Sequence, residues 1–299
     1  MTATTTTAPR TASAPTPDPS PASGPESNPP RTTDPSPSPI PTPAFEIELS
    51  APVNLRDLGG IPIAGGLLRE GLAIRTDDLA YVTHDVASAL VAEGLTAIID
   101  LRSPLEAAVT GRGPLGRFPV AYHHLPLLAD VAEPLREDGP APRRAPDLGH
   151  AAMGAMYVRM MENAAPQLVT ALNVIACTPG ATAFHCAAGR DRTGVLAAAL
   201  LLTLGADEEH IVADYARTGA NMGAIIRRTR PVLGAMWRAL GFDPDAHDAS
   251  ALLEGSMEVS MRILLDTLRE RHGDALAPLR RSGLSEDTIV RLRRRALQG

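Results

Sequence analysis

One run of ten residues, His185-Cys186-Ala187-Ala188-Gly189-Arg190-Asp191-Arg192-Thr193-Gly194, sets a nucleophile, a permanent cation and a small-residue turn in close succession. An apolar stretch, Ala181 to Phe184, leads into the run. Val195 to Leu204 follows it and is apolar enough all round to be a buried helix. A strand, a tight loop and a helix N-terminus are therefore expected. Two alanines and a glycine lie between Cys186 and Arg190, so the backbone can approach a ligand closely. Successive amide N–H groups, together with the helix N-terminus, can then nest a tetrahedral dianion. Ala187, Ala188, Gly189, Arg190, Asp191 and Arg192 are the expected phosphate-binding residues.

A thiol with a reference pKa of about 8.5 is a poor nucleophile at neutral pH, but a helix N-terminus and a nearby arginine lower such values to roughly 3.5–7.5. Cys186 is accordingly expected as a thiolate at the bottom of the cradle, attacking phosphorus in line. Arg192 can take two equatorial oxygens in a fork and hold them through the transition state. Thr193 is expected to donate its hydroxyl toward the sulfur when the phosphocysteine is hydrolysed. His185 is read as orienting the loop through its ring, and no metal or cofactor enters this chemistry.

With these residues the chain resembles the protein tyrosine phosphatase superfamily, whose signature is His-Cys, five residues, then Arg followed by Ser or Thr. More narrowly it is similar to the bacterial tyrosine/serine phosphatase family. Four further stretches carry that likeness: Asn54-Leu55-Arg56-Asp57-Leu58-Gly59-Gly60; Arg75-Thr76-Asp77 with Leu79; Asp100-Leu101-Arg102-Ser103 with Glu106; and Ile211-Val212-Ala213-Asp214-Tyr215. The likeness spans nearly all of residues 53 to 297. It implies a phosphatase fold with a sheet of four or five strands and activity on phosphotyrosine in a protein or peptide. Some relatives also accept phosphoserine, phosphothreonine or phosphoinositides. Relatives with lipid specificity often carry lysine before the loop's Asp-Arg pair, where this chain has Arg190. Asn54, Arg56 and Asp57 have two readings, a hydrogen-bonded turn supporting the loop, which is favoured, and direct substrate contact.

Cleaving the ester also needs a general acid for the leaving oxygen. Larger eukaryotic tyrosine phosphatases carry it in a Trp-Pro-Asp loop, whereas the only tryptophan here is Trp237. Asp191, inside the loop, and Asp130, at the start of a long connection, are the candidates. For Asp191 an ion pair orienting Arg190 or Arg192 is an equal alternative. Asp100, ending a buried strand beside Arg102, reads as structural.

The elements that must position these groups follow from periodicity. Phe45 to Leu49 alternates as a strand does, Gly71 to Arg75 reads as a short strand, and Asp85 to Glu93 as a helix stopped by Gly94. Thr96 to Leu101 is a continuous apolar run, the mark of a strand buried on both faces. Ser103 can cap a helix through Val109, and Val120 to Leu125 returns as strand. Residues 129 to 150 form a long connection of the kind used as lids. Helical patterns occupy Ala151 to Glu162 and Gln167 to Ala176, and the chain is helical from Val195 onward. The expected architecture is α/β: a phosphatase-like, mostly parallel central sheet flanked by helices, with a helical C-terminal half. The methionines Met153, Met156, Met160 and Met161 recur at helical spacing and read as packing. His123 and His124, adjacent in a strand, point to opposite faces and cannot pair on a metal.

Composition narrows the function classes. Thirteen of the 28 prolines fall between Pro9 and Pro43 among Ser, Thr and Ala, so residues 1–44 are read as a disordered tail and 45–299 as the catalytic domain. The net charge of −6 gives no case for nucleic-acid binding, and all 28 cationic side chains are arginine. Arg227, Arg228 and Arg230, and Arg291, Arg293, Arg294 and Arg295, are read as solvated helix faces. No run is long and apolar enough for a transmembrane segment, and MTATTTTAPR lacks the pattern of a secretory signal. Two cysteines nine residues apart make a poor bridge, which favours a reducing, cytoplasmic setting, with secretion lacking a recognisable signal left open. The competing readings are a phosphoinositide phosphatase, an inactive phospho-binding module and a rhodanese-like sulfurtransferase. The Arg192-Thr193 pair disfavours the last.

Overall fold

The structure, a computed structural model, describes residues 1–2, 47–128, 149–239 and 255–297. Everything from residue 47 belongs to one compact unit, Thr42–Gly299. The Pro-rich stretch, Asp130 and the connection around it lie outside the described residues.

The short strands come first: β1 (Arg56–Asp57), the two-residue pair β2 (Pro62–Ile63) and β3 (Gly66–Leu67), and β4 (Ala73–Thr76). Helix α1 (His84–Ala92) leads to β5 (Leu95–Asp100), α2 (Pro104–Thr110) and β6 (Ala121–His124). Then follow α3 (His150–Asn163), α4 (Ala165–Cys177), β7 (Ala181–His185) and α5 (Asp191–Leu204). The remainder is helical: α6 (Glu208–Ala216), α7 (Met222–Ala239), α8 (Glu258–His272), α9 (Ala277–Arg281) and α10 (Glu286–Leu297).

Five strands form one sheet in the order β1-β4-β7-β5-β6. All its pairings are parallel except β1 on β4, as the sequence pattern leads one to expect. The register sets His185 level with Thr76 on one side and with Asp100 on the other. The carboxyl ends of three neighbouring strands therefore open together, which is where open α/β sheets bind ligands.

Alternation along the strands divides the interior. Ile99 and Phe184 join the large core made with α3, α4, α5 and α8, while Ile98 and Ala183 join a smaller one with Leu79, Leu90 and Leu115 on the opposite face. Each fully buried Leu, Ile or Phe contributes roughly 1.5–3 kcal/mol. Helix α5 is apolar all round because it is buried all round, from Val195 to Leu204 with only Leu202 partly exposed. The four methionines sit on α3, with Met153, Met160 and Met161 buried and Met156 packed against the same core.

One expectation is corrected. Ile47 to Leu49 form no strand: this edge segment has no neighbouring strand to bond, and is tied down instead by Ser50 N–H donating to the Tyr81 carbonyl at 2.7 Å and by Ile47 packing near Tyr81 and Val232. The Gly-rich stretch after Asp57 is ordered into the β2–β3 ribbon, too short for any period to register.

Candidate active site

The turn after β7 is shaped from behind. Asp78 N–H donates to the Ala187 carbonyl at 3.1 Å, Asn54 Nδ2 donates to the carbonyls of Ala188 and Gly189 at 3.4 and 3.1 Å, and Arg75 donates to Gly189 at 3.0 Å. Three successive carbonyls are thus drawn outward. In a trans peptide the N–H points opposite to its C=O, so the amides of Ala188, Gly189 and Arg190 face the other way, into the hollow. Gly189 makes this bend possible: its φ is +66°, and a Cβ there would lie 2.5 Å from the Thr76 carbonyl oxygen. Cys186 sits at the floor, 1% exposed, where β7 gives way to the loop.

Arg192 lies in the first turn of α5 and is gripped by Glu106, at 2.5 and 2.9 Å through both nitrogens of the fork. Glu106 is delivered by α2, whose N-terminus is a capping box: Ser103 N–H donates to the Glu106 carboxylate at 2.7 Å, and the Ser103 hydroxyl accepts from Glu106 N–H at 3.3 Å. One carboxylate thereby closes a helix end and aims a cation. Burial alone would raise the Glu106 carboxyl, but Arg192 and the Ser103 bonds hold it below its ordinary value. Burial works against the Arg192 cation, yet Glu106 and Cys186 raise it above the usual arginine range.

A second ion cluster braces the loop from the far side. Asp214, on α6, binds Arg56 at 2.8 Å and Arg75 at 2.5 Å. Arg56 also reaches Asn54 Oδ1 at 2.7 Å. Burial pushes Asp214 up, but the two arginines keep it below the usual carboxylate range. The same burial, with Arg75 nearby, lowers Arg56 to about 10. Asn54 thus bonds the loop carbonyls directly, and Arg56 reaches them only through Asn54. Asp57 is turned the other way by strand alternation and accepts from the amides of Gly59 and Gly71 at 2.6 and 2.7 Å.

His185 has its Nδ1 3.2 Å from the Cys186 carbonyl and lies 3.7 and 3.9 Å from Asp78 and Asp100. Asp100 bonds Arg102 and Tyr122. Burial tends to raise its carboxyl, while His185 and Arg102 hold it far below the ordinary value. Thr193 Oγ1 is buried and without a hydrogen-bond partner, beside Arg192. Arg190 is 2% exposed and points inward, with Nε 3.3 Å from the Tyr215 hydroxyl and 3.5 Å from Asp191. Asp191 keeps about a quarter of its side chain exposed and accepts a short bond from Tyr157.

Several supports carry no local signal. Glu106, Asp214, Tyr215 and Asp77 stand in the family-like stretches but had no assigned role, and Tyr157 and Asp78 stood in none. Arg228 is corrected from a solvated residue: it is turned in onto Asp77 at 2.5 Å and onto the Asp78 carbonyl at 3.0 Å. Asp77 in turn accepts from the amides of Val53 and Asn54. Arg295 is likewise no free cation, because it donates to the carbonyls of Ile175 and Gly180.

Comparison with known proteins agrees with this geometry. The profile of the tyrosine phosphatase family matches residues 47–298. The triple specificity protein phosphatase PtpB of Mycobacterium tuberculosis is 26% identical over 274 residues, 82% of this chain and 97% of its own length. A putative tyrosine-protein phosphatase of Cupriavidus necator is 36% identical over 54% of this chain and 59% of its own length. A tyrosine-protein phosphatase of Nostoc commune is 32% identical over 48% of this chain and 47% of its own. With a thiol at the floor of an amide-lined turn and a fixed guanidinium beside it, the chain belongs to the tyrosine phosphatase family, and it is a protein-tyrosine phosphatase working through a phosphocysteine.

Proposed function

We propose that Cys186 attacks phosphorus, that Arg192 and the loop amides from Ala187 to Arg192, those of Ala188, Gly189 and Arg190 facing inward, hold the equatorial oxygens, and that Asp191 protonates the leaving oxygen. Thr193 steadies the thiolate when water releases phosphate. The observation that carries this reading is the outward fixing of three successive loop carbonyls, which leaves donors on the inner face for an anion. Asp191 is favoured as the acid because its carboxylate sits at the start of α5 next to Arg192 and keeps partial exposure.

The substrate is a phosphorylated protein or peptide, phosphotyrosine first, with phosphoserine and phosphothreonine as further substrates. A phosphoinositide is disfavoured, since Arg190 is buried, 2% exposed, with its Nε turned to Tyr215 and Asp191. The catalytic domain is taken as residues 45–299, following a Pro-rich tail. Both thiols are unpaired, which suits a reducing compartment such as the cytoplasm. The test compares an aryl phosphate, a phosphotyrosine peptide, a phosphoserine peptide and phosphoinositide vesicles with wild type and Cys186→Ser. Turnover confined to the first three and abolished by the substitution is expected. Activity surviving Cys186→Ser would overturn the mechanism.

A further inference from the structure

Arg190, Tyr215 and Tyr157 form a run of hydrogen bonds that ends on Asp191, and Arg190 Nε itself also stands 3.5 Å from Asp191 Oδ1. Arg190 Nε lies 3.3 Å from the Tyr215 hydroxyl, the two tyrosine hydroxyls are 2.7 Å apart, and Tyr157 donates to Asp191 Oδ1. The direction of these bonds is fixed by what each group can do. A guanidinium only donates, so Tyr215 oxygen accepts from it. Tyr157 has one proton and gives it to Asp191, so the bond between the tyrosines must run from Tyr215 to Tyr157. Every proton in the row points toward the carboxylate, and bonds in such a row polarise one another.

Both tyrosines are built in rigidly. Tyr157 is fully buried on α3, one turn beyond Gly154, where a Cβ would meet Ile263 of α8 at 2.7 Å. Tyr215 stands against Gly194, whose missing side chain lets the ring come within 2.9 Å of a Cβ position in the first turn of α5. The rings meet edge to face, with centroids 5.9 Å apart. Burial and the Asp191 charge raise the Tyr157 hydroxyl above its ordinary range, so it stays a donor.

We infer that Tyr157 is a positioning residue for Asp191: by occupying Oδ1 it leaves Oδ2 as the oxygen that carries the acidic proton and turns that oxygen to the leaving group. The step balances simply. The Cys186 thiolate forms the S–P bond, the P–O ester bond breaks, and the proton on Asp191 Oδ2 goes to the departing oxygen. Among the described residues, the charged and titratable groups facing Asp191 are Arg190 and Arg192 on its own segment, Tyr157 from α3 and Tyr215 from α6. This rests on Asp191 being the acid, and the experiment separates the two claims.

Wild type, Tyr157→Phe, Tyr215→Phe and Asp191→Asn are compared by kcat/KM on aryl phosphates whose leaving groups range from nitrophenol to phenol, with orthovanadate inhibition as the measure of the cradle alone. Tyr157→Phe is expected to lose about tenfold on phenyl phosphate and under about twofold on nitrophenyl phosphate, with vanadate binding unchanged, since one bond's worth of aim is gone. Asp191→Asn should show the same bias more strongly, roughly a hundredfold. A strong bias in Asp191→Asn with an even loss, or none, in Tyr157→Phe overturns the positioning role and leaves the acid standing. No bias in Asp191→Asn overturns both. If Tyr157→Phe fails to fold, Tyr215→Phe carries the test, because it breaks the row one bond farther back. A leaving-group bias of about threefold is then expected, and an even loss overturns the proposal.

Discussion

Glu106 and Arg192 meet in a two-bond fork of 2.5 and 2.9 Å although 86 residues separate them. The pair is buried, with Arg192 9% exposed and Glu106 4% exposed, so the carboxylate is the countercharge that holds the guanidinium in place.

Glu106→Gln keeps the shape and the capping role but removes the charge. We expect kcat/KM on nitrophenyl phosphate to fall about 10- to 100-fold and orthovanadate to bind more weakly, because a misaimed fork loses oriented contacts. Unchanged vanadate affinity would show that Arg192 is held by something else.

Asp214→Asn leaves Arg56 and Arg75 facing each other in the interior without a carboxylate. Removing one partner from a buried ion cluster costs about 3–5 kcal/mol, so the urea midpoint should drop accordingly. Arg217, whose charge also bears on Arg56, offers no compensation.

Acid should weaken the fold in a defined way. Asp100, Glu106 and Asp214 are all held below their ordinary values in the folded chain. Their stabilisation is fully present above the unfolded carboxylate range, near pH 4, and is lost as pH falls through that range toward the folded values. Thermal melts from pH 7 to pH 3 should show this decline, and Asp214→Asn should flatten it.

Gly189→Ala tests the bend itself. The left-handed backbone and the 2.5 Å approach to Thr76 cannot both be kept. A loss of about 1–3 kcal/mol is expected, with hydrolysis down roughly a hundredfold. A variant that keeps wild-type turnover would mean that the loop reaches its working shape by another route.

The chemistry was legible because it is contiguous. Cys186 to Arg192 state nucleophile, small turn and cation within seven residues, and the flanking apolar runs at Ala181 and Val195 predict the strand and helix that the chain forms. Beyond Asn54, which the family-like stretch already marked, most of what holds that loop was not legible, because topology rather than spacing assembles it. Glu106 looks like an ordinary capping residue, Tyr157 like one more apolar position on a helix, and Arg228 like part of a solvated basic face. Each becomes a site element only when the strand order β1-β4-β7-β5-β6 brings its neighbour to it. Ile47 to Leu49 shows the converse error: alternation signals an extended segment, but a strand also needs a partner edge.

The braces of the loop come from opposite ends of the chain: Asn54 and Gly189 are 135 residues apart, and Arg56 and Asp214 are 158 apart. Contacts of such long loop closure form late in folding. On the ribosome, a nascent chain could bury β7 and expose the Cys186 thiol in its turn while still lacking α6, with Arg56 and Arg75 uncompensated and the amides unaligned. Hydrolytic competence thus depends on contacts that cannot close until both the Asn54–Arg56 segment and the helix carrying Asp214 have been made.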